Sequence, residues 1–125
     1  PKLSEGAIEA SINKTNEILR QYSGQSVRLV RPPYGATSGS VKPALKATGQ
    51  PSILWSIDTL DWKTKNTHNT VNVVLTQVKD GDIILMHSIY KQSAEAAEQI
   101  IPALKERGFQ LVTVSELAKA RGINI

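Results

Sequence analysis

An α/β fold, with parallel strands alternating with helices, is predicted by three features of this 125-residue chain. Apolar or β-branched runs at 27–30, 52–57, 82–86 and 109–112 are short enough for strands. Segments of helical spacing separate them, and strand–helix–strand repetition makes the strands parallel. Chemistry-bearing residues then follow three of these strands: Arg31-Pro32-Pro33-Tyr34, Asp58-Thr59-Leu60-Asp61-Trp62 and Leu85-Met86-His87. Loops at the C-terminal ends of parallel strands converge, so these three runs are expected to face one mouth. About four such strands form half of a (β/α) barrel, or an open sheet that lacks its beginning.

Each element has a local justification. Ser4 is a suitable N-cap for a first helix, with Glu5 in its first turn, Ile8, Ile12, Ile18 and Leu19 near one face, and Gly24 past its end. The strand 27–30 closes at Arg31, because a residue before proline is pushed toward extended backbone. A second helix is predicted over 40–47, stopped by Gly49 and Pro51. The strand 52–57 leads into a polar loop, 58–69, and Thr70 is expected to cap a helix over 71–79 with Val71, Val74, Leu75 and Val78 on its buried stripe. Asp80-Gly81-Asp82 turns the chain into the nearly continuous apolar run Ile83-Ile84-Leu85-Met86, as befits a strand covered on both faces. A helix over 93–106 follows, then strand 109–112, then a short helix capped by Ser115 and ending at Gly122.

Composition narrows the function classes. The residues are 40% hydrophobic and 21% charged, as in a globular domain of this length. No apolar run approaches the roughly 18 residues of a transmembrane helix. The formal net charge of +4 suits an anionic neighbour such as a bacterial cell wall. Scattered cations and 5% aromatic residues argue against a nucleic-acid partner. With no cysteine, disulfides and thiolate metal sites are excluded. The sequence shows no signal peptide and starts at Pro1 without a methionine, which reads as an expressed segment, a processed product or a fragment.

The candidate residues admit functional and structural readings. Arg31 carries a planar fork that holds a carboxylate in one orientation, or pairs with an aspartate beside a proline-stiffened turn. The loop through Tyr34 is rigid enough to present a backbone N–H to an oxyanion. Asp58 and Asp61 suit metal binding, acid–base work or the capping of a turn. Trp62, in a polar loop, suits a sugar platform or an acyl-pocket wall. His87, at the end of an apolar strand, suits an acid or base oriented by Asp61 or Asp58. His68, among Lys, Asn and Thr, reads as a solvated loop residue. Two histidines on different loops do not complete a catalytic metal site.

In this order, the three runs resemble the last three of five signature motifs of the polysaccharide deacetylases, metal-dependent carbohydrate esterases with a distorted (β/α) barrel. The stretch from Gly81 to His87, and that from Gly108 to Leu117, is most similar to bacterial peptidoglycan N-acetylglucosamine deacetylases. The resemblance implies that residues 1–125 are the C-terminal part of one catalytic domain that removes N-acetyl groups with metal-activated water, an aspartate base and a histidine acid. It implies that Arg31 holds the base aspartate and that the Tyr34 N–H stabilises the oxyanion. Asp61 would orient His87 and favour its protonated form, and His87 would protonate the departing amine. Trp62 and Leu85, with Tyr34, would wall the substrate pocket, while Asp58 receives no clear part. Ser88 departs from the aspartate that similar sequences often carry.

The family's first two motifs, which supply the base and the metal-binding residues, are not in this sequence. In many relatives the last metal-binding histidine is followed by Pro-x-Leu, and this chain begins Pro1-Lys2-Leu3. The expected divalent metal, zinc or cobalt, would therefore be bound outside this chain, which alone is expected to be inactive. The implied partners are a cell-wall polysaccharide and an N-terminal fragment of the same domain, and the implied location is extracellular or wall-associated. Chitin or acetylxylan deacetylation, and a non-catalytic carbohydrate-binding remnant, are the alternatives.

Overall fold

Ser4 begins the structure as its sequence suggests: its Oγ accepts the Ala7 N–H at 3.3 Å, and helix α1 runs Glu5–Ser23. Gly24, at φ 71°, closes the helix in the left-handed region, where the absence of a Cβ removes the steric cost. The computed structural model describes residues 3–125, so the start of the Pro1-Lys2-Leu3 run lies outside the described residues. The described chain divides into two compact units, one reaching Leu54 and including Ile125, the other Trp55–Asn124.

In the first unit, α1 lies against helix α2 (Val41–Thr48), which contributes the buried residues Val41, Ala44 and Leu45. The segments between and after the helices are tied at their backbones. Val30 donates to Pro51 O at 3.1 Å, Ile53 donates to Val30 O at 2.9 Å, and Val30 and Ser52 form a parallel bridge. The strand expected over 27–30 is thus one bridge residue in an extended segment, because a single crossing supplies its partner. The apolar face of α1 is not closed over: Ile18 and Leu19 stay substantially exposed, and Ile8 and Ile12 line a cleft of about 560 Å³ with Val27, Leu29, Val41 and Leu45.

The second unit is built on two helices, α4 (Thr67–Gln77) and α5 (Lys91–Glu106). Val74 of α4 meets Ala96, Ile100 and Leu104 of α5 in the core, with Val71, Leu75, Val78, Ile84, Met86 and Phe109 packed around them. The stripe expected on the first of these helices is therefore present. Strands β1 (Ile57–Asp58) and β2 (Ile84–Leu85) run parallel, with Ile57 opposite Ile84 and Asp58 opposite Leu85. Parallel pairing matches the predicted fold class, but the ladders are two residues long instead of covering 52–57 and 82–86. No ladder forms over 109–112, where Leu111 and Val112 are each more than two-fifths exposed. Apolar runs define extended backbone, whereas a ladder also needs a partner at the right spacing.

Several boundaries differ from expectation, and for α4 and α6 a nearer cap wins. The expected loop 58–69 contains the single-turn helix α3 (Asp61–Thr64) and the start of α4. Asn66, not Thr70, caps α4 by accepting the Asn69 N–H at 2.9 Å. Thr70 lies inside the helix, buried, with no hydrogen-bond partner for its hydroxyl among the described residues. Helix α6 (Val114–Ala120) is capped by Thr113 in a capping box with Glu116, not by Ser115. Helix α5 begins at Lys91, two residues ahead of the predicted start.

Leu104 is 2% exposed at the centre of the α4–α5 core. Leu104→Ala is expected to cost about 2–5 kcal/mol, as lost transfer energy plus a residual cavity. Urea unfolding of the two proteins checks this, with a shift in midpoint at unchanged slope.

Candidate active site

Asp61 is placed by backbone conformation before any side-chain contact forms. The preceding residue, Leu60, has φ 55° and ψ 28°, a left-handed conformation that is costly for a non-glycine residue. The Asp58 carboxylate accepts the Leu60 N–H at 3.0 Å and so holds that turn. Asp58 therefore caps the turn that delivers Asp61. The left-handed step aims Asp61, the first residue of α3, inward, where it is 1% exposed. A buried carboxylate needs a full set of donors. Oδ1 accepts the Trp62 N–H at 2.9 Å and faces His87 Nδ1 at 2.8 Å. Oδ2 accepts the His87 N–H and the Ser93 hydroxyl, each at 2.6 Å.

Burial pushes the Asp61 carboxyl up, but the Ser93 hydroxyl, the His87 ring and the His87 N–H outweigh it and hold Asp61 below its ordinary value of 3.8. Asp61 is thus ionised near neutral pH and can only accept, so the proton between it and His87 resides on Nδ1. Nε2 has no hydrogen-bond partner among the described residues, and the side chain is 37% exposed. This is the disposition of an acid–base histidine: one nitrogen oriented by a buried carboxylate, the other available to solvent or substrate.

The surroundings are anchored by polar bonds between elements. Thr59, 1% exposed, donates to the Leu85 carbonyl at 2.8 Å, joining the ends of β1 and β2 just before Asp61 and His87. Leu85 is almost buried, whereas Trp62 on α3 is 47% exposed. Tyr90 meets the His87 ring edge-on with centroids 6.3 Å apart, and Lys65 Nζ lies 5.4 Å above the Tyr90 ring. His68 is exposed on α4, as its polar neighbours suggest.

Arg31 and Tyr34 belong to the first unit. Arg31 is exposed and ends the extended segment, and Pro33–Gly35 form a single 3₁₀ turn. Tyr34 is fully exposed at φ 57°, a second non-glycine residue in the left-handed region. Gly35 and Ala36 donate back to Pro32 and Pro33, while the Tyr34 N–H makes no bond among the described residues. A free N–H on a stiffened, strained turn has the character that an oxyanion donor needs.

Among the described residues, no three His, Cys, Asp or Glu side chains gather as a cation site requires. His87 Nδ1 is committed to Asp61, and His68 stands apart. These residues do not fit a catalytic cation. The sequence reading assembled Asp61 and His87 and missed Ser93. Its signal was present: Ser93, Ala96, Ile100 and Leu104 repeat at helical spacing, so a hydroxyl occupies the buried stripe and needs a partner.

Because the folded carboxyl sits below 3.8, the folded state binds fewer protons than the unfolded state around that pH. The stabilisation from Asp61 is complete above its unfolded value and is lost as pH falls through the lower folded value. Urea titrations from pH 6 down to pH 2.5 should therefore show Asp61→Asn converging on the parent protein at the acid end. A gap that stayed constant across that range would contradict the ionised Asp61.

The sequence model for polysaccharide deacetylases matches residues 1–53. The chain is 42% identical over 120 residues to the peptidoglycan-N-acetylmuramic acid deacetylase PdaC of Bacillus subtilis, covering 96% of this chain and 25% of that protein. It is 36% identical over 116 residues to the peptidoglycan-N-acetylglucosamine deacetylase PgdA of Listeria monocytogenes, covering 93% and 24% respectively. The solved PdaC structure superposes with a TM-score of 0.89 at 40% identity, over 97% of this chain and 58% of that one. A family 4 acetyl xylan esterase from Clostridium thermocellum, solved with a cobalt ion, superposes at a TM-score of 0.88 and 29% identity, over 98% and 60%. The chain thus spans about a quarter of the length of these curated relatives and three-fifths of the solved ones. With three ordered motifs, a parallel α/β fold and these superpositions in agreement, the chain belongs to the polysaccharide deacetylase family.

Proposed function

We propose that this chain is the histidine-bearing part of a deacetylase domain that hydrolyses N-acetyl groups on the amino sugars of peptidoglycan. The observation that carries the reading is the buried, ionised Asp61 bonded to His87 Nδ1 with Nε2 left free. In the proposed reaction, an aspartate base outside this chain takes a proton from water as its oxygen bonds to the acetamide carbonyl carbon, and the C–N bond then breaks. Protonated His87 gives its Nε2 proton to the departing amine nitrogen, which leaves as a neutral amine. The Nδ1 proton stays on the bond to Asp61 throughout. Asp61 supplies the fixed acceptor that orients the ring during transfer. The Tyr34 N–H is assigned to the carbonyl oxygen as it becomes anionic, and Arg31 to the carboxylate of the base. Trp62, Leu85 and the Tyr34 side chain are assigned to the walls around the acetyl group and sugar.

The family is metal-dependent, and a cobalt ion accompanies one solved relative. We take zinc as the cation; held by residues outside this chain, it would polarise the carbonyl and activate water. A wall substrate implies a protein acting outside the cytoplasm, and no helix among the described residues is long and apolar enough to cross a membrane.

The test is release of acetate and appearance of free amines from purified peptidoglycan treated with the complete deacetylase domain carrying this sequence. Chitooligosaccharides and acetylxylan serve as comparison substrates. Turnover of peptidoglycan at least ten times faster than of either is expected. Equal or faster turnover of chitin or acetylxylan would replace the substrate assignment, and no turnover of any would favour a carbohydrate-binding remnant. Residues 1–125 alone should release no acetate.

A further inference from the structure

We propose that Ser93 is a positioning residue that acts through Asp61 to hold His87 in its Nδ1–H tautomer, an inference that rests on the deacetylase reading only for its effect on rate. A serine in the first turn of a helix ordinarily bonds nearby backbone groups. Ser93 instead sends its hydroxyl out of α5 to Asp61 Oδ2 at 2.6 Å, and it is 3% exposed. The other donors to Asp61 come from Trp62, its own neighbour, and from His87, the residue to be oriented. Ser93 alone ties the carboxylate to a third element, and that element is the helix whose Ala96, Ile100 and Leu104 form the core.

The torsion that turns a carboxylate about its Cβ–Cγ bond is broad and sets no angle by itself. Bonds to both oxygens must therefore fix its plane. With Ser93 present, Oδ2 is held from two directions and Oδ1 lies in line with Nδ1. Without it, Oδ1 keeps two donors and Oδ2 one, but every remaining donor belongs to Trp62 or to His87 itself, so the carboxylate can tilt with the ring it must orient and the Nδ1–H···Oδ1 bond lengthens. Neutral imidazole then loses the acceptor that selects the Nδ1–H form. Nε2 then carries the proton of the neutral ring, so the nitrogen that must take up a proton to regenerate the acid is already occupied.

The direct measurement is long-range ¹H–¹⁵N NMR of His87 in its neutral form, which distinguishes the two tautomers. The parent protein should show Nδ1–H, Ser93→Ala a clear rise of Nε2–H, and Ser93→Thr the parent pattern. In the complete deacetylase, Ser93→Ala should lower kcat by about 10-fold or more at nearly unchanged KM, with recovery in Ser93→Thr. If Ser93→Ala does not fold, Ser93→Cys, similar in size but a weak donor, should show the same rise in Nε2–H. An unchanged tautomer in a folded Ala or Cys variant overturns the proposal, even if stability drops. A shifted tautomer with unchanged kcat upholds the hold of Ser93 on His87 and overturns the acid role assigned to His87.

Discussion

Replacing His87 by alanine in the complete deacetylase should lower turnover of an N-acetylated glycan by about 10²–10⁴-fold, the usual worth of a positioned general acid. The reason is the leaving group. An amine expelled without a proton is a very poor leaving group, and Nε2 is the atom assigned to supply that proton. An aryl acetate, whose phenolate departs without protonation, should therefore lose much less activity in the same variant. The comparison separates acid catalysis from a general collapse of the site. Equal losses on both substrates would remove His87 from the acid role, since attack and oxyanion binding are common to the two reactions. His87→Gln tests whether a neutral side chain of similar reach restores any rate, and no recovery is expected.

The second large effect belongs to Asp61. Asp61→Ala leaves the Trp62 N–H, the His87 N–H, the His87 ring and the Ser93 hydroxyl without their acceptor in a site that is 1% exposed. Breaking such a buried arrangement from one side costs about 3–5 kcal/mol. Asp61→Asn is gentler in volume but reverses one polarity. Its amide NH₂ must face either the Trp62 N–H with His87 Nδ1 or the His87 N–H with Ser93, so a donor meets a backbone donor in either orientation. About 1–3 kcal/mol of stability should be lost. Turnover should fall nearly as far as in His87→Ala, because the charge is gone and the amide can offer its oxygen to the ring only by setting its NH₂ against the His87 N–H. The double variant should be scarcely slower than either single one, as residues acting as a unit are non-additive. Fully additive losses would show that the two act independently. Thermal or urea unfolding beside single-turnover kinetics gives both numbers from the same preparations.

Much of this was legible in the chain, and the misses have physical causes. Ser4, Gly24 and Gly49 marked helix ends because caps are local chemistry, readable within four residues. The same logic, applied one position too late, chose Thr70 over Asn66. It also passed over Thr113, although Thr113 and Glu116 carry the spacing of a capping box. Strand extent was the least legible feature, since an apolar run such as 52–57 reports burial, while pairing depends on another segment. At the site, Asp61 and His87 were readable because each follows an apolar run. Ser93 was hidden by being an ordinary helix residue whose meaning lies 32 positions away in sequence. The left-handed conformations of Leu60 and Tyr34 left no trace in the sequence, as neither position is a glycine.

The ladder between β1 and β2 stops at Leu85, but the two chains do not part there. Thr59 Oγ1 grips the Leu85 carbonyl, and two residues later Asp61 grips both the main chain and the ring of residue 87. The rungs simply change from backbone to side chain. This has a consequence for motion. Fluctuations that open one part of a protein begin where few buried bonds need to break, and catalytic rims are often among those soft places. At this rim, separating residues 59–61 from 85–87 requires breaking one buried and two part-buried polar bonds one after another. The His87 amide proton should therefore exchange with solvent on the slow timescale of the α4–α5 core rather than that of an exposed loop. Breathing at the mouth would fall to the segments on either side of this seam, leaving Asp61 and His87 as a fixed point.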